Sequence, residues 1–225
     1  MIDRGAPAVW RGAVAGLLAV AVVVGALGWA TAGFATVTAE GARRRAIRRA
    51  PVTIPAAPAI TPEGLTVDVL AETGGSTIRT TPRVAIVAFF YSRCPGVCGQ
   101  LGESLQRVQQ LLAARGVTDA VRVIAVSFDP AFDGPDQLRH YAALRRVDPS
   151  IWQLRTLDAG APSVALLRAF GVTVISDGAG GFQHNAALHI VLPDRRLTRV
   201  LDLDDAEGAI AIALDALGVG PVAQR

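Results

Sequence analysis

One part of the sequence decides the fold: an unbroken apolar run followed closely by a pair of cysteines. The run is Val84-Ala85-Ile86-Val87-Ala88-Phe89-Phe90-Tyr91, and the pair lies in Cys94-Pro95-Gly96-Val97-Cys98. A continuous apolar run of this length is typical of a central strand that is covered on both faces. The chain contains no other cysteine. The sequence therefore predicts a strand that delivers two thiols to the start of a helix.

Apolar patterns on both sides of this stretch predict alternating strands and helices. Residues 65–70 alternate and precede Gly74-Gly75, which indicates a hairpin. The remaining patterns predict helices over 100–114, 136–146, 162–170 and 206–217, and strands over 121–128, 188–192 and 197–203. Strand–helix–strand order implies parallel pairing, and the two late adjacent strands imply an antiparallel edge. We expect an α/β protein with a thioredoxin-like fold, a central mixed sheet flanked by helices, behind an N-terminal transmembrane helix.

The transmembrane helix is predicted from the absence of any charge between Gly12 and Ala39. About 20 apolar residues suffice to cross a bilayer, and Trp10 and Trp29 stand where aromatic rings favour the membrane interface. A cleaved signal peptide, with Ala30-Thr31-Ala32 as its cleavage site, is the main alternative, and a buried soluble helix is another. The apolar stretch exceeds the usual signal-peptide core of 7–15 residues, which favours an uncleaved anchor.

The charge distribution bears on partners and on orientation. Residues 1–50 carry seven arginines against two acidic residues, whereas residues 51–225 carry fifteen arginines against seventeen acids. The basic excess belongs to the N-terminal part, and nothing in the sequence argues for nucleic acid. Five arginines follow the predicted span closely, at positions 43, 44, 45, 48 and 49. The positive-inside rule alone would place the following domain in the cytoplasm, although such arginines can also bind anionic lipid head groups on either side.

These patterns give the expected domain organisation. Residues 1–11 form a cytoplasmic N-terminus, residues 12–36 a transmembrane anchor, and residues 37–62 an Arg-rich and then Pro-rich linker. The linker has four prolines between residues 50 and 62, so we expect an extended, semi-rigid spacer without a core of its own. Residues 63–218 form the thioredoxin-like domain, and residues 219–225 form a tail.

Cys94 and Cys98 stand at positions i and i+4. If the segment starts a helix, both sulfurs face the same side, and they can form a disulfide or bind one metal ion. A helix N-terminus lowers the pKa of a thiol and favours the thiolate, and two thiolates select soft metals, chiefly copper or zinc. Two buried structural thiols are the alternative that assigns no chemistry.

A third metal ligand would have to come from the three histidines. His140 lies in a predicted helix, where we expect a solvated or capping role. His189 stands between apolar residues in a predicted strand, which favours a packing role. His184 follows a glycine-rich loop and could turn towards the thiols. Because an odd separation in a strand puts two side chains on opposite faces, at most one of His184 and His189 should face the site.

At this point three blocks carry a resemblance to the SCO1/SenC family, copper proteins of cytochrome c oxidase assembly within the thioredoxin-like superfamily. The run from Phe89 to Cys98 is similar to the family's C-P-x-V-C motif after an apolar strand. The second block is Val126-Ser127-Phe128-Asp129-Pro130, followed by Asp133 and Pro135. The third is a histidine, a short apolar strand and Pro-Asp, matched from His184 to Asp194. Together the blocks cover roughly residues 62–218.

The resemblance implies that Cys94, Cys98 and His184 hold copper, as Cu(I), Cu(II) or both. It makes Asp129 a candidate for a residue that positions the ligands without binding the metal; the alternative is a helix or turn cap. It implies a single-pass protein of the inner membrane with its C-terminal domain on the periplasmic side. The implied partners are the copper-bearing subunit of a haem–copper oxidase, other copper chaperones or thiol reductants, and the membrane.

The sequence departs from the family pattern at three positions. Gly96 replaces an acidic residue inside the motif, Gln183 replaces a frequent Asp before the histidine, and Gly99 replaces a common Pro. We expect copper delivery as the function. The alternative is a thiol–disulfide reductase in which Cys94 and Cys98 act as a catalytic redox pair on the oxidase's copper-ligand cysteines. A peroxidase is disfavoured, because Ser92-Arg93-Cys94 lacks the Thr-x-x-Cys setting of peroxiredoxins.

Overall fold

The computed structural model describes residues 6–30, 38–73, 83–94 and 97–218. The chain divides into two compact units, Met1–Arg49 and Ala50–Arg225. The first contains helices α1 (Ala6–Ala30) and α2 (Ala39–Arg49). Within α1 the segment Trp10–Trp29 has a mean hydropathy of 2.2 and no buried part. By length and composition it can cross a membrane, and a signal sequence would meet the same criterion. The end of the predicted span, residues 31–36, lies outside the described residues.

The second unit is built on an eight-stranded mixed sheet with the strand order β1-β10-β9-β4-β5-β6-β2-β3. Its elements, in chain order, are β1 (Val52–Thr53), β2 (Pro58–Ile60), β3 (Thr66–Asp68), β4 (Val84–Phe90), α3 (Val97–Ala114), β5 (Val121–Ser127), α4 (Pro135–Arg145), β6 (Trp152–Leu157), α5 (Ala161–Phe170), β7 (Val174–Ser176), β8 (Phe182–His184), β9 (Leu188–Val191), β10 (Arg196–Leu201) and α6 (Ala206–Asp215). Strands β7 and β8 form a separate two-stranded sheet.

The three central strands of the sheet, β4, β5 and β6, end at the same edge of the sheet. Strands β4, β5 and β6 are parallel and buried along their whole length, as the apolar runs of β4 and β5 predict. Their register pairs Phe90 with Ser127 and Ser127 with Thr156. Since the carboxyl ends of parallel strands meet at one edge, the loops after β4 and β5 lie side by side there. This is the edge where α/β proteins place ligands, and the cysteine motif follows β4.

The helices cover the sheet with apolar faces at helical spacing. In α3, Leu101, Leu105, Val108 and Leu112 are fully buried, and they join α6 residues such as Ile210 in one core. Helix α6 is capped by Asp205, whose carboxylate accepts from the Gly208 amide at 2.9 Å. The fold class predicted from the sequence is confirmed: a mixed sheet flanked by helices, with an apolar N-terminal helix.

Three expectations about the elements were wrong. The Pro-rich segment is not a spacer without a core, since it supplies β1 and β2, and Ile54 and Ala59 are buried. The second unit therefore begins at Ala50 and not at residue 63. Strand β6 was not predicted, because Gln153 and Arg155 interrupt its apolar pattern. The glycine-rich stretch before His184, expected to be a flexible loop, forms the turn and the second strand of the β7–β8 hairpin. The predicted tail, residues 219–225, lies outside the described residues.

Strand β6 tolerates Arg155 because the guanidinium donates hydrogen bonds to residues 68–73, the segment that lies over this side chain. Arg155 is fully buried and donates to the carbonyl oxygens of Asp68, Val69 and Ala71 and to the side chain of Thr73. Burial lowers the pKa of Arg155 to about 10, so the side chain stays charged at neutral pH. This arginine fastens residues 68–73 to the sheet.

Candidate metal and thiol site

Cys94 lies in the turn that follows β4 at the carboxyl edge of the sheet. Its amide donates to the carbonyl oxygen of Tyr91 at 3.4 Å, and the half-buried side chain packs against the core. Helix α3 begins at Val97, so Cys94 precedes the helix while Cys98 lies in its first turn. The condition under which both sulfurs would share one helical face, that the helix starts at Cys94, is therefore not met. Pro95, Gly96 and the side chain of Cys98 lie outside the described residues.

A buried carboxylate fixes the turn before Cys94. Asp133 is completely buried, and its carboxylate accepts from the Ser92 amide at 2.9 Å, from the Ser92 hydroxyl and from the Ser127 hydroxyl. Its carbonyl oxygen accepts from Thr156. Because Ser127 and Thr156 end neighbouring strands, Asp133 joins the ends of β5 and β6 to the cysteine turn.

Arg93 connects the same turn to the loop after β5. Its Nε donates to the carboxylate of Asp129 at 2.8 Å, and Asp129 is 3% exposed. The guanidinium carbon lies 4.9 Å from the centre of the Phe132 ring. The hydrogen bond to Asp129 raises the pKa of Arg93. In the structure Asp129 therefore binds the residue next to Cys94.

His184 is presented by the β7–β8 hairpin. Its register pairs Val174 with His184 and Ser176 with Phe182. The connecting turn needs glycine where φ is positive, at Gly178 (75°) and Gly180 (92°). The carboxylate of Asp177 accepts from two turn amides at 2.8 Å. These bonds lower the pKa of Asp177 and make the turn compact.

The hairpin is tied to the cysteine-bearing strand by Tyr91. The tyrosine hydroxyl donates to the Phe182 carbonyl at 2.9 Å and accepts from the Phe182 amide at 3.2 Å. The imidazole of His184 lies 6.0 Å from the Tyr91 ring and 4.9 Å from the Phe128 ring, centre to centre. Tyr91 precedes Cys94 by three residues, so the histidine is held beside the strand end that carries the first thiol.

The surroundings of His184 favour the neutral form of its imidazole. Partial burial among aromatic rings lowers the pKa of His184, and the contact of Nδ1 with the Asn185 carbonyl at 3.2 Å offsets this only in part. A neutral ring that donates through Nδ1 carries its lone pair on Nε2, the form that binds metals. The lowered pKa therefore favours the protonation state in which an imidazole can bind a metal ion.

The other two histidines lie elsewhere. His189 is 1% exposed, its Nδ1 lies 3.1 Å from the Val87 carbonyl, and its ring packs against Phe89 and Phe170. His140 is exposed on α4. Among the side chains that the structure describes, no three His, Cys, Asp or Glu residues form a metal-binding group, and Cys98 is not one of those side chains.

The donor set fits copper by its chemistry. Two cysteines, one before α3 and one in its first turn, and one imidazole are the soft and intermediate ligands that Cu(I) prefers. Sequence reasoning named these residues as candidate ligands and Asp129 as a candidate behind them, but it gave no role to the Tyr91 hydroxyl, the Asp133 carboxylate or Arg93. Tyr91 reads as the last apolar residue of a strand, and Asp133 entered the sequence analysis only as part of the second block of the resemblance.

The second unit has a thioredoxin-like mixed sheet with a cysteine motif directly after β4. The hairpin that carries His184 is tied to the end of the same strand. This combination is typical of thioredoxin-like proteins that bind metal or exchange disulfides. Within that class, the SCO1/SenC family model matches residues 73–217. This is more than half of the chain, so the chain belongs to the SCO1/SenC family. No curated protein sequence matches it significantly.

Solved structures of Sco proteins are similar to the second unit. BsSco, a member of the Sco family of cytochrome c oxidase assembly proteins with a disulfide switch, is 19% identical with a TM-score of 0.60, over 76% of this chain and 96% of that one. A SCO1/SenC family lipoprotein from Bacillus anthracis is 15% identical with a TM-score of 0.61, over 76% and 98%. Copper-bound ScoI from Bradyrhizobium japonicum is 19% identical with a TM-score of 0.52, over 72% and 99%. At these identities the likeness establishes the fold.

Proposed function

We propose that this protein binds copper through Cys94, Cys98 and His184 and delivers it to the copper centre of a haem–copper cytochrome oxidase. One observation carries the proposal: the Tyr91 hydroxyl holds the His184 hairpin against the end of the strand that leads to Cys94. The copper in Bradyrhizobium japonicum ScoI supports copper as the cargo. The role of BsSco in oxidase assembly supports the receiving partner.

In this proposal the residues around the ligands position them. Asp133 fixes the turn that presents Cys94, and Tyr91 fixes the hairpin that presents His184. Asp129 holds the side chain of Arg93, the residue before Cys94. Copper is the cargo that would pass from these ligands to the oxidase centre. The helix N-terminus favours the thiolate form of Cys98.

A copper titration of the full chain in detergent, with both thiols reduced, tests this function. We expect one Cu(I) per chain in competition with a chromophoric chelator, and we expect Cys94→Ser or Cys98→Ser to abolish tight binding. The matched control is His140→Ala, on the exposed side of α4, which should bind copper as the wild type does. If the folded wild-type chain binds no copper, copper delivery is refuted.

The second candidate function is reduction of the disulfide between the oxidase's copper-ligand cysteines. The position of Cys94 before α3 and Cys98 in its first turn favours it, because this is the arrangement of a redox-active dithiol. In this reaction one thiolate attacks the substrate disulfide, the second thiol resolves the mixed disulfide, and Cys94 and Cys98 end joined while the substrate ends as two thiols. This chemistry does not need His184, so His184→Ala separates the two functions.

We propose that the uncharged part of α1, from Gly12 onward, anchors the protein in the inner membrane as a single span, with residues 1–11 in the cytoplasm and the second unit on the periplasmic side. Other copper chaperones and thiol reductants on that side would load and reduce the site. Alkaline phosphatase fused after Arg225 tests the orientation, because the enzyme folds only where disulfides form. An active fusion is expected. A stable but inactive fusion would place the second unit in the cytoplasm.

A further inference from the structure

The arginines that follow the apolar helix lie on an ordered helix and not in an irregular linker. Helix α2 spans Ala39–Arg49 and carries five arginines and one acidic residue, Glu40. Glu40 is paired with two of these arginines, because its carboxylate accepts from Arg43 Nε and Arg44 Nε, each at 2.8 Å. Arg45, Arg48 and Arg49 have no carboxylate within ion-pair distance among the residues that the structure describes.

These three arginines share one side of α2. Positions 45 and 49 are four residues apart and positions 45 and 48 are three residues apart, so the three side chains lie within about 100° of the helix circumference. Ile47 lies on the other side and is buried. Like charges four residues apart repel each other on a helix. Such a concentration of positive charge is stable when anions face it.

The position of α2 in the chain says which anions can face it. Helix α1 ends at Ala30 and α2 begins at Ala39, and this interval cannot exceed about 30 Å even when fully extended. A membrane that contains α1 therefore lies within reach of α2. Phosphates of anionic lipids form a continuous negative surface, and arginine binds phosphate through paired N–H groups.

We propose that α2 lies on the membrane surface with Arg45, Arg48 and Arg49 against the head groups of anionic lipids. This inference rests on the proposed anchoring by α1. It also gives the arginines a role that is independent of orientation, since the head groups are accessible on whichever side α2 emerges. Contact with the surface would hold the start of the second unit, at Ala50, close to the membrane.

The test places the full chain in two lipid nanodiscs, one of phosphatidylcholine alone and one with about a third phosphatidylglycerol. Amide hydrogen exchange of residues 39–49 is followed by mass spectrometry. We expect exchange to be at least about tenfold slower in the anionic nanodisc, since each arginine near an anionic surface strengthens binding by about fivefold. High salt should reduce this difference, because it screens exposed charges.

Two variants with the same change in net charge make the test specific. R45Q/R48Q/R49Q should lose the slowing, whereas R107Q/R168Q/R196Q, which changes exposed arginines of the second unit, should keep it. Equal exchange in both nanodiscs, or slowing that survives R45Q/R48Q/R49Q, would overturn the lipid contact while leaving the anchor intact. A chain that enters neither nanodisc would overturn the anchor, and this inference with it.

Discussion

The hydroxyl of Tyr91 makes two hydrogen bonds to the backbone of Phe182, at 2.9 Å to the carbonyl oxygen and at 3.2 Å to the amide. The two residues are far apart in sequence, yet each stands two or three positions from a proposed copper ligand, Cys94 or His184. One side chain thus sets the distance between the cysteine turn and the histidine hairpin. Its removal should affect the metal site more than the rest of the fold.

Tyr91→Phe tests this relationship, because it keeps the ring and removes both hydrogen bonds. We expect the free energy of unfolding to fall by about 1–2 kcal/mol. Copper affinity should fall by up to about tenfold, equivalent to about 1.4 kcal/mol, because the hairpin must be ordered on binding. Tyr141→Phe on α4, the only other tyrosine, is the matched control and should leave copper affinity unchanged. Equal effects of the two variants would contradict the role of Tyr91.

Asp133→Asn tests the anchor of the cysteine turn. The substitution removes the negative charge and places an NH2 group, which cannot accept, opposite some of the hydrogen-bond donors of Ser92 and Ser127. We therefore expect the free energy of unfolding, measured by chemical denaturation, to fall by about 1.5–3 kcal/mol. The thiol of Cys94 should also react faster with a thiol reagent. Asp136→Asn changes an exposed carboxylate on α4 and should stay within about 0.5 kcal/mol of the wild type. A mild Asp133→Asn variant would show that the turn is held by other contacts.

The central part of the fold was predictable from the sequence because β4, β5 and α3 have unambiguous apolar patterns. Strand β6 was missed for a physical reason: Arg155 and Gln153 are buried there, and a sequence does not show that a guanidinium binds the carbonyl oxygens of residues 68–71. Strands β1 and β2 were missed because the prolines around them read as a linker. Pro58 is the first residue of β2, a position where a strand tolerates proline.

At the site, the motif and its spacing identified Cys94, Cys98 and His184 as candidates, and their role as ligands stays a prediction. The β7–β8 hairpin could not be predicted, because its three-residue strands pair only with each other and are stabilised by Tyr91 from a distant strand. A contact of this kind depends on tertiary structure alone. The burial of His189 was predicted correctly from its apolar neighbours.

The stability of the chain without metal should depend on pH through His184. Burial lowers the pKa of His184 below its usual value of about 6.5 in the unfolded chain. Below that value the unfolded chain binds more protons than the folded one, so stability falls as the pH decreases towards the folded pKa. Denaturation of the wild type and of His184→Gln between pH 5 and 7.5 measures this. The variant should show the shallower slope, and identical slopes would contradict a neutral, partly buried imidazole.

Arg155→Met tests how residues 68–73 are held on the sheet. The variant keeps an apolar stem but leaves several buried carbonyl oxygens without donors, so we expect a loss of more than about 3 kcal/mol. Arg168→Met, on the exposed side of α5, is the matched control and should change stability by less than about 0.5 kcal/mol. Thermal and chemical denaturation give both values. A stable Arg155→Met variant would show that these carbonyls find other donors.

The central claim is that copper is held by Cys94, Cys98 and His184, and X-ray absorption of the Cu(I)-loaded chain tests it most directly. We expect the scattering of two sulfur atoms and one imidazole nitrogen, with the imidazole contribution lost in His184→Ala and kept in His189→Ala. The disulfide between Cys94 and Cys98 should still form in His184→Ala. A copper ion coordinated without imidazole, or one whose imidazole disappears in His189→Ala, would contradict the proposed site.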